Sequence, residues 1–239
     1  MKIAERVDIR RASDRARTDL PWLESYHSFN FGPHYDPGNR GHGLLLVLND
    51  DIVKPGTGFT THQHHNMEIV TWVLDGELAH KDSAGNRGII YPGLAQRMSA
   101  GSGIWHSEMN PSESKPVRLV QMWVLPDKEN VRPGYEQLDV NDKLARGGLV
   151  CVASGRAKDA AIMIHQKDAA LWAGRLKGGE KVKVPNAKHV HVFVAKGAAE
   201  LEGAGMLAQG DAARLTEAGA LELRAEAEEG AEILIWETA

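Results

Sequence analysis

Two short phrases of the sequence carry side chains that could bind a metal ion. The phrase THQHHNME holds His62 and His64, and the phrase GIWHSEMN holds His106 and Glu108. Successive side chains of a β-strand point to opposite faces, so residues spaced by two project to the same side. Two facing strands could therefore present three imidazoles and one carboxylate to a single point. Such a mixed nitrogen and oxygen set suits divalent iron, nickel, manganese, copper or zinc.

A chance arrangement is the alternative, because the chain has 11 histidines and a lone His-x-His is more often an ordinary surface pair. Each phrase is framed, however. Gly56 lies six residues before the first histidine of the pair, and Glu68 lies four after the second. Gly103 lies three residues before the later histidine, and Asn110 lies four after it. Two separately framed phrases with ligands of one chemical class favour the metal site.

This framing resembles the paired motifs of the cupin superfamily, and more narrowly the pirin family. The resemblance spans nearly the whole chain and is strongest before residue 140. The segments that resemble pirins are GFTTHQH (58–64), MEIVT (67–71) and SAGSGIWHSE (99–108); those that resemble the bacterial pirin-like proteins are WLESYHSFNF (22–31), YDP (35–37) and PGYEQ (133–137).

The resemblance implies a particular carboxylate ligand. Generic cupins usually take theirs from the first motif, which would nominate Glu68, whereas pirins take the residue two after the second-motif histidine. We therefore predict His62, His64, His106 and Glu108 as metal ligands. If the strand is unbroken, Glu68 shares its parity with the paired histidines and would still face the cavity behind the ligands.

Apolar residues near the motifs are candidates for a substrate pocket. Phe59, Met67 and Trp105 are the ones we single out. Core packing is the commoner fate of such side chains, and strand parity alone does not decide between the two.

Length and composition limit the class of protein. A chain of 239 residues with 42% hydrophobic and 25% charged residues forms one large or two small globular domains. The net charge of −4 argues against an unaided nucleic-acid binder. The single cysteine, Cys151, fits a reducing compartment, and no apolar run is long enough for a membrane span. We expect a cytoplasmic protein.

Short apolar runs separated by Gly, Pro, Asn and Asp predict an all-β chain without a long amphipathic helix. The run 44–48 reads as a buried strand bounded by the polar residues 49–51, and Asp75-Gly76 is a strong signal for a two-residue hairpin. Residues 126–145 are rich in charge and turn formers and read as a linker or surface crossover. With the resemblance, this predicts two cupin-type β-barrels, a metal-binding domain at 1–130 and a cupin-like domain at 131–239.

A faint internal repeat, VLDG at 73–76 against VAKG at 194–197, supports the duplication. In this register the counterparts of the paired histidines are Lys183 and Pro185, which are not usual metal ligands, while His189 and His191 fall out of register. We therefore predict that the second barrel is degenerate and binds no metal. The other histidines lack a partner phrase and are expected to be structural or solvated: His27, His34, His42, His65, His80 and His165.

The resemblance also implies an activity. Pirins and their bacterial relatives are associated with the oxygen-dependent opening of the flavonol quercetin, with release of carbon monoxide. On this basis Glu108 would be the general base and the metal a Lewis acid and template. Fe(II) is the preferred ion, with Zn, Mn, Ni, Co or Cu also possible. The partners would be a flavonol-like substrate and dioxygen, and the protein a monomer. The alternatives are a metal-dependent regulatory pirin that binds a protein partner, and an unrelated small-molecule activity on the same fold.

Overall fold

The computed structural model describes residues 6–239 and is almost entirely β-structure, as predicted. A short 3-10 helix at Ala12–Asp14 and one helical turn, α1 (Asn141–Leu144), interrupt the strands. In chain order the strands are β1 (Val7–Arg10), β2 (Ala16–Leu20), β3 (Leu23–His27), β4 (Leu45–Val53), β5 (Gly58–His64), β6 (Glu68–Asp75), β7 (Leu78–Asp82), β8 (Arg87–Ile90), β9 (Leu94–Ser99), β10 (Ile104–Met109), β11 (Val117–Val124), β12 (Gly134–Asp139), β13 (Val150–Ser154), β14 (Ile162–Met163), β15 (Ala169–Leu176), β16 (Lys181–Lys183), β17 (His189–Leu201), β18 (Gly205–Ala208), β19 (Ala212–Thr216), β20 (Glu222–Ala225) and β21 (Ala231–Thr238).

The strands form two cupin-type halves, each a jelly roll of facing sheets rather than a closed barrel. In the first half a seven-stranded sheet of order β12-β9-β6-β11-β4-β3-β2 faces a four-stranded sheet of order β5-β10-β7-β8. The second half is built on one large sheet whose main path is β1-β19-β17-β21-β15-β13-β14. The β6 segment is buried along nearly its whole length because it lies in the middle of its sheet, between β9 and β11.

The two halves are joined by shared packing and by exchanged strands. Trp72 of the first half donates its indole N–H to Glu232 of the second at 2.8 Å, and Trp236 packs against Met122. One buried hydrophobic cluster contains residues of both halves. The first described strand, β1, pairs with β19 in the second half, and β12 lies in the expected linker and pairs with β9 in the first. The domain division at residue 130 stays a prediction.

The predicted two-residue hairpin at Asp75-Gly76 is wrong in one respect. The chain does turn there, with Gly76 in the left-handed region at φ 80°. However, β6 pairs with β9 and β11, whereas β7 pairs with β8 and β10. The turn therefore carries the chain from one sheet to the other.

The polar residues 49–51 do not end a strand, contrary to prediction. They lie inside β4 and are buried. Asn49 Oδ1 contacts Nδ1 of His27 at 2.9 Å, whereas Oδ1 of Asp51 has no hydrogen-bond partner. Asp50 accepts two hydrogen bonds from Arg118, at 3.0 and 2.9 Å. Asp51 is hydrogen-bonded by Ser25, but burial raises its pKa to about 7. This polar interior stands behind the histidine cluster described below.

None of the helices in residues 6–239 is long and apolar enough to cross a membrane.

The buried Asp51 predicts a specific pH dependence of stability. The folded protein keeps the carboxyl proton up to about pH 7, whereas the unfolded chain releases it near its ordinary value of 3.8. This group therefore destabilises the fold progressively as pH rises from about 4 to about 7. We expect Asp51→Asn to gain roughly 2–3 kcal/mol relative to wild type between pH 5 and pH 8. Denaturant unfolding of metal-free protein at both pH values measures this, and parallel pH profiles would contradict it.

Candidate metal centre

The two histidine phrases form neighbouring antiparallel strands, β5 and β10. Their register places His62 opposite His106, and His64 opposite Ile104. All three imidazoles consequently lie on one face, with their ligand nitrogens within 4.8 Å of one another. The Nε2 atoms of His62 and His106 are 3.0 Å apart. The structure thus brings together the three histidines that the spacing selects.

The protonation of these imidazoles fits a bound cation. His62 donates its Nδ1–H to the carbonyl oxygen of Thr60 at 2.7 Å, which leaves a lone pair on Nε2 of the neutral ring. Burial, with the neighbouring imidazoles adding to it, lowers the pKa of His64 to about 4 and of His106 to about 2. Neutral imidazoles are the form that binds a metal ion. The donor set therefore suits a divalent first-row ion.

A fourth histidine, His80, supports the cluster from behind and was missed by the sequence reasoning. It lies on β7, which pairs with the other side of β10 and places His80 opposite Glu108. Its Nδ1 is 3.5 Å from Nδ1 of His106, and its Nε2 is 3.2 Å from the carboxylate of Asp82. The signal that could have revealed it is the His-x-Asp spacing on one strand, which directs both side chains inward.

The Asp82 carboxylate fixes the tautomers of this chain of rings. It accepts backbone N–H groups of Ala84 and Asn86 at 3.0 Å, and these bonds, with those from the Asn86 and His80 side chains, outweigh burial and lower its pKa. The ionised carboxylate accepts Nε2–H of His80, so Nδ1 of His80 is left to accept Nδ1–H of His106. The lone pair of His106 is then on Nε2, which faces His62. Such an outer carboxylate–histidine contact orients a metal ligand.

Glu108 is buried and lies beside the deeper part of the cluster. A carboxylate oxygen lies within 4.8 Å of the ligand nitrogens of His80 and His106, a group separate from the three-histidine set. Gln121 donates to Oε2 at 2.7 Å, and Thr71 donates to Oε1 at 3.4 Å. Burial raises the pKa of Glu108 to about 7, against the opposing effect of these two hydrogen bonds. The carboxyl group can therefore gain or lose a proton near neutral pH.

Glu68 does not face the ligands, so the parity argument for it fails. The strand is broken after His64, where Asn66 adopts a positive φ of 45°, and a new strand begins at Glu68. Its carboxylate instead accepts Ser99 Oγ–H at 2.8 Å and the backbone N–H of His165 at 3.1 Å. It thereby links the first half to the second.

The three pocket candidates have different surroundings. Trp105 is 50% exposed on the face of β10 opposite His106, so it does not line a cavity at the histidines. Phe59 lies 6.5 Å from His62 between ring centroids and packs edge-on against Trp22. Met67 packs, partly buried, against the small cluster around Met98.

Two aromatic side chains other than Trp105 lie beside the histidines. The ring of Trp123 lies 4.9 Å from that of His64, and Phe31 lies 5.6 Å from Trp123. Neither contact can be read from the sequence, because Phe31 and Trp123 both lie 30 or more residues from the first motif and reach it only through the fold.

A two-domain cupin with a histidine cluster in its first half is therefore the class that fold and site define. A family model for pirin matches residues 9–124, and a model for the quercetinase C-terminal cupin domain matches residues 151–238. The chain belongs to the pirin family.

Relatives and solved structures agree with this assignment. The chain is 38% identical over 199 residues to quercetin 2,3-dioxygenase of Escherichia coli K12, covering 82% of this chain and 84% of that one. It is 56% identical over 232 residues to a Mycobacterium tuberculosis protein whose name assigns the same activity provisionally, covering 97% and 94%. The crystal structure of YhhW from Escherichia coli superposes with a TM-score of 0.90 at 34% identity, covering 98% and 97%. The same bacterial pirin was also crystallised with nickel(II), TM-score 0.89 at 33% identity, covering 97% and 98%.

Removing a predicted ligand should remove the metal. We expect His62→Ala and His106→Ala to fall well below stoichiometric metal, because each deletes a converging imidazole. His189→Ala is the control, since that ring lies in the second half and contacts the carbonyl oxygen of Ala239. Elemental analysis of purified protein measures the content, and full occupancy in His106→Ala would count against the ligand assignment.

The contact chain behind His106 should tune metal affinity. We expect Asp82→Asn to weaken metal binding about 10–100-fold, because the amide no longer fixes the His80 tautomer. Asp19→Asn, an exposed acid on β2, is the matched control. Competition with a chromogenic chelator gives both dissociation constants. Equal affinities in the two variants would show that the Asp82 contact does not act on the ligand.

Proposed function

We propose that this protein is a metal-dependent dioxygenase of the quercetin 2,3-dioxygenase type, which opens a flavonol-like ring with dioxygen and releases carbon monoxide. The observation that carries the proposal is the convergence of three imidazoles on a point that remains accessible. His62 and His64 are only half-buried, whereas His106 is buried. A structural site would enclose its ion, while a catalytic one keeps positions for substrate.

We infer that His62, His64, His106 and Glu108 hold the ion, with Fe(II) preferred. A bound divalent ion would supply Lewis acidity and a template for the substrate oxygen and dioxygen. Nickel(II) is the ion bound in the Escherichia coli YhhW structure, and the same donors accept it.

The surroundings of the histidines suit a flat aromatic substrate. Trp123 stands edge-on to His64, and Phe31 stands edge-on to Trp123. Aromatic rings attract one another in offset or edge-to-face arrangements, so these two side chains would position a flavonol ring beside the imidazoles. Half-buried Phe59, whose ring centroid is 6.5 Å from that of His62, would limit how the substrate enters.

Glu108 has the properties of the general base. A base works best when its pKa lies near the operating pH, and burial raises that of Glu108 to about 7. We propose that its carboxylate takes the proton of the flavonol hydroxyl. The N–H of Gln121 and the hydroxyl of Thr71 stabilise the ionised form and hold the side chain in place.

Dioxygen uptake with quercetin tests the proposal, using protein loaded anaerobically with each of iron, manganese, nickel, copper and zinc. We expect metal-dependent turnover with carbon monoxide as product, and a loss of about 10²–10⁴-fold in Glu108→Gln, the range for a general base. Glu77→Gln, exposed in the turn after β6, is the matched control.

Metal content is measured on the same samples, so a loss of ion is separated from a loss of the base. Wild-type turnover in Glu108→Gln would contradict the role of the carboxylate. No turnover with any stoichiometrically bound ion would contradict the dioxygenase and favour the regulatory alternative.

A further inference from the structure

A second polar site lies beside the N-terminal segment 10–15, where the two halves of the molecule meet. It is a small cavity of about 30 Å³ between the segment around Arg10 and Arg15, the end of β3, and strands β17 and β19. Its lining includes Ser28 from the first half and His191 and Arg214 from the second. No metal-ligand cluster of the described residues includes any of these side chains.

Arg214 is a buried guanidinium without an acidic partner. It is 6% exposed, stacks over Phe29 at 4.5 Å, and donates to the carbonyl oxygen of Ser28 at 2.8 Å and to Asn39 Oδ1 at 2.6 Å. Both acceptors are neutral, and its Nε–H has no partner. Its cross-strand neighbour Asp8 pairs with Arg10 at 2.9 Å instead, and Asp14, which lines the same cavity, accepts the backbone N–H of Arg11 at 3.3 Å. Among residues 6–239 no carboxylate forms an ion pair with Arg214.

Arg15 adds positive charge that is only partly compensated. Its nearest acid, Asp50, lies at 3.4 Å and already accepts two shorter hydrogen bonds from Arg118. One carboxylate thus serves two guanidinium groups. The Nε–H of Arg15 is buried and unpaired.

His191 faces Arg214 across the strand pair β17–β19 and is 1% exposed. Both of its ring nitrogens lack a hydrogen-bond partner. Burial, with Arg214 and His42 adding to it, lowers its pKa well below the usual value, so the ring is neutral and offers one N–H. The hydroxyl of Ser28 is likewise buried and unpaired.

The unpaired polar groups of the residues that line the cavity are mostly hydrogen-bond donors. A ligand that accepts hydrogen bonds therefore fits the cavity. Buried polar groups in proteins are nearly always hydrogen-bonded, so four unpaired donors on one small cavity call for an acceptor. Water would bring two donors of its own, and the unpaired acceptors on these residues are the Ser28 oxygen and one nitrogen of His191. Asn39 Oδ1 and the Asp14 carboxylate also line the cavity, and both already accept hydrogen bonds from arginines. An anion only accepts, and it also offsets the uncompensated guanidinium charge.

We propose that this cavity is a binding site for a small inorganic anion of chloride size. The volume holds one or two water-sized species. Bound there, the anion joins the N-terminal segment and Ser28 to Arg214 and His191, and so stabilises the docking of the two halves.

Bromide is the probe, because it replaces chloride and scatters X-rays anomalously. In crystals of the wild-type protein grown from sodium bromide we expect an anomalous peak inside the cavity, within hydrogen-bond distance of Arg214 or His191. Water density alone at this place, or bromide only at other places, would overturn the proposal.

Thermal unfolding provides a second test in solution, comparing sodium bromide with sodium gluconate at equal ionic strength. We expect a saturating rise in Tm with bromide in wild type and in Arg224→Gln, an exposed arginine of the same half. Arg214→Gln should lose this increment whatever its own Tm in gluconate. Equal increments in all three proteins, as halide binding at the metal centre would give, or no increment in any, would overturn the proposal.

Discussion

The candidate site depends on the antiparallel register between β5 and β10. Because strand side chains alternate between faces, a slip of one residue would turn His62 and His64 away from His106. The register carries an irregularity between His106 and Glu108, after which Glu108 lies opposite Phe59. β10 stays in phase with β7 on its other side, so Glu108 and His80 remain directly opposed. β10 therefore supplies His106 to the accessible cluster and the carboxylate of Glu108 to the deeper one.

The buried polar side chains beside the β5–β10 pair are stabilised by contacts from several strands. Asp82 is hydrogen-bonded to His80, and His80 to His106. Gln121 and Thr71 both donate hydrogen bonds to Glu108. Burying such groups is costly unless each finds a partner. Their hydrogen bonds make the site part of the fold. The second half lacks histidines in the corresponding register. It contributes by packing, because Trp236 and Glu232 contact the first half directly.

Sequence reasoning predicted the part of the site that depends on local spacing. The three histidines converge because a period of two is a property of any strand, and the pirin resemblance added Glu108. His80 was missed because its role also needs the pairing of β7 with β10, which the His-x-Asp spacing with Asp82 does not encode. The parity argument placed Glu68 on the ligand face, but Asn66 breaks the strand between it and His64. Trp105 points away from His106 because neighbouring side chains on a strand face opposite sides. The buried Asp50 looked like a turn signal, since its partner Arg118 is distant in sequence.

The most direct test of the central claim is X-ray absorption spectroscopy of the nickel-loaded protein, with and without quercetin in the absence of dioxygen. Our account predicts nitrogen and oxygen ligands that include three imidazoles, and a changed coordination shell when the flavonol is added. Fewer than two imidazoles, or a coordination shell that quercetin leaves unchanged, would contradict it.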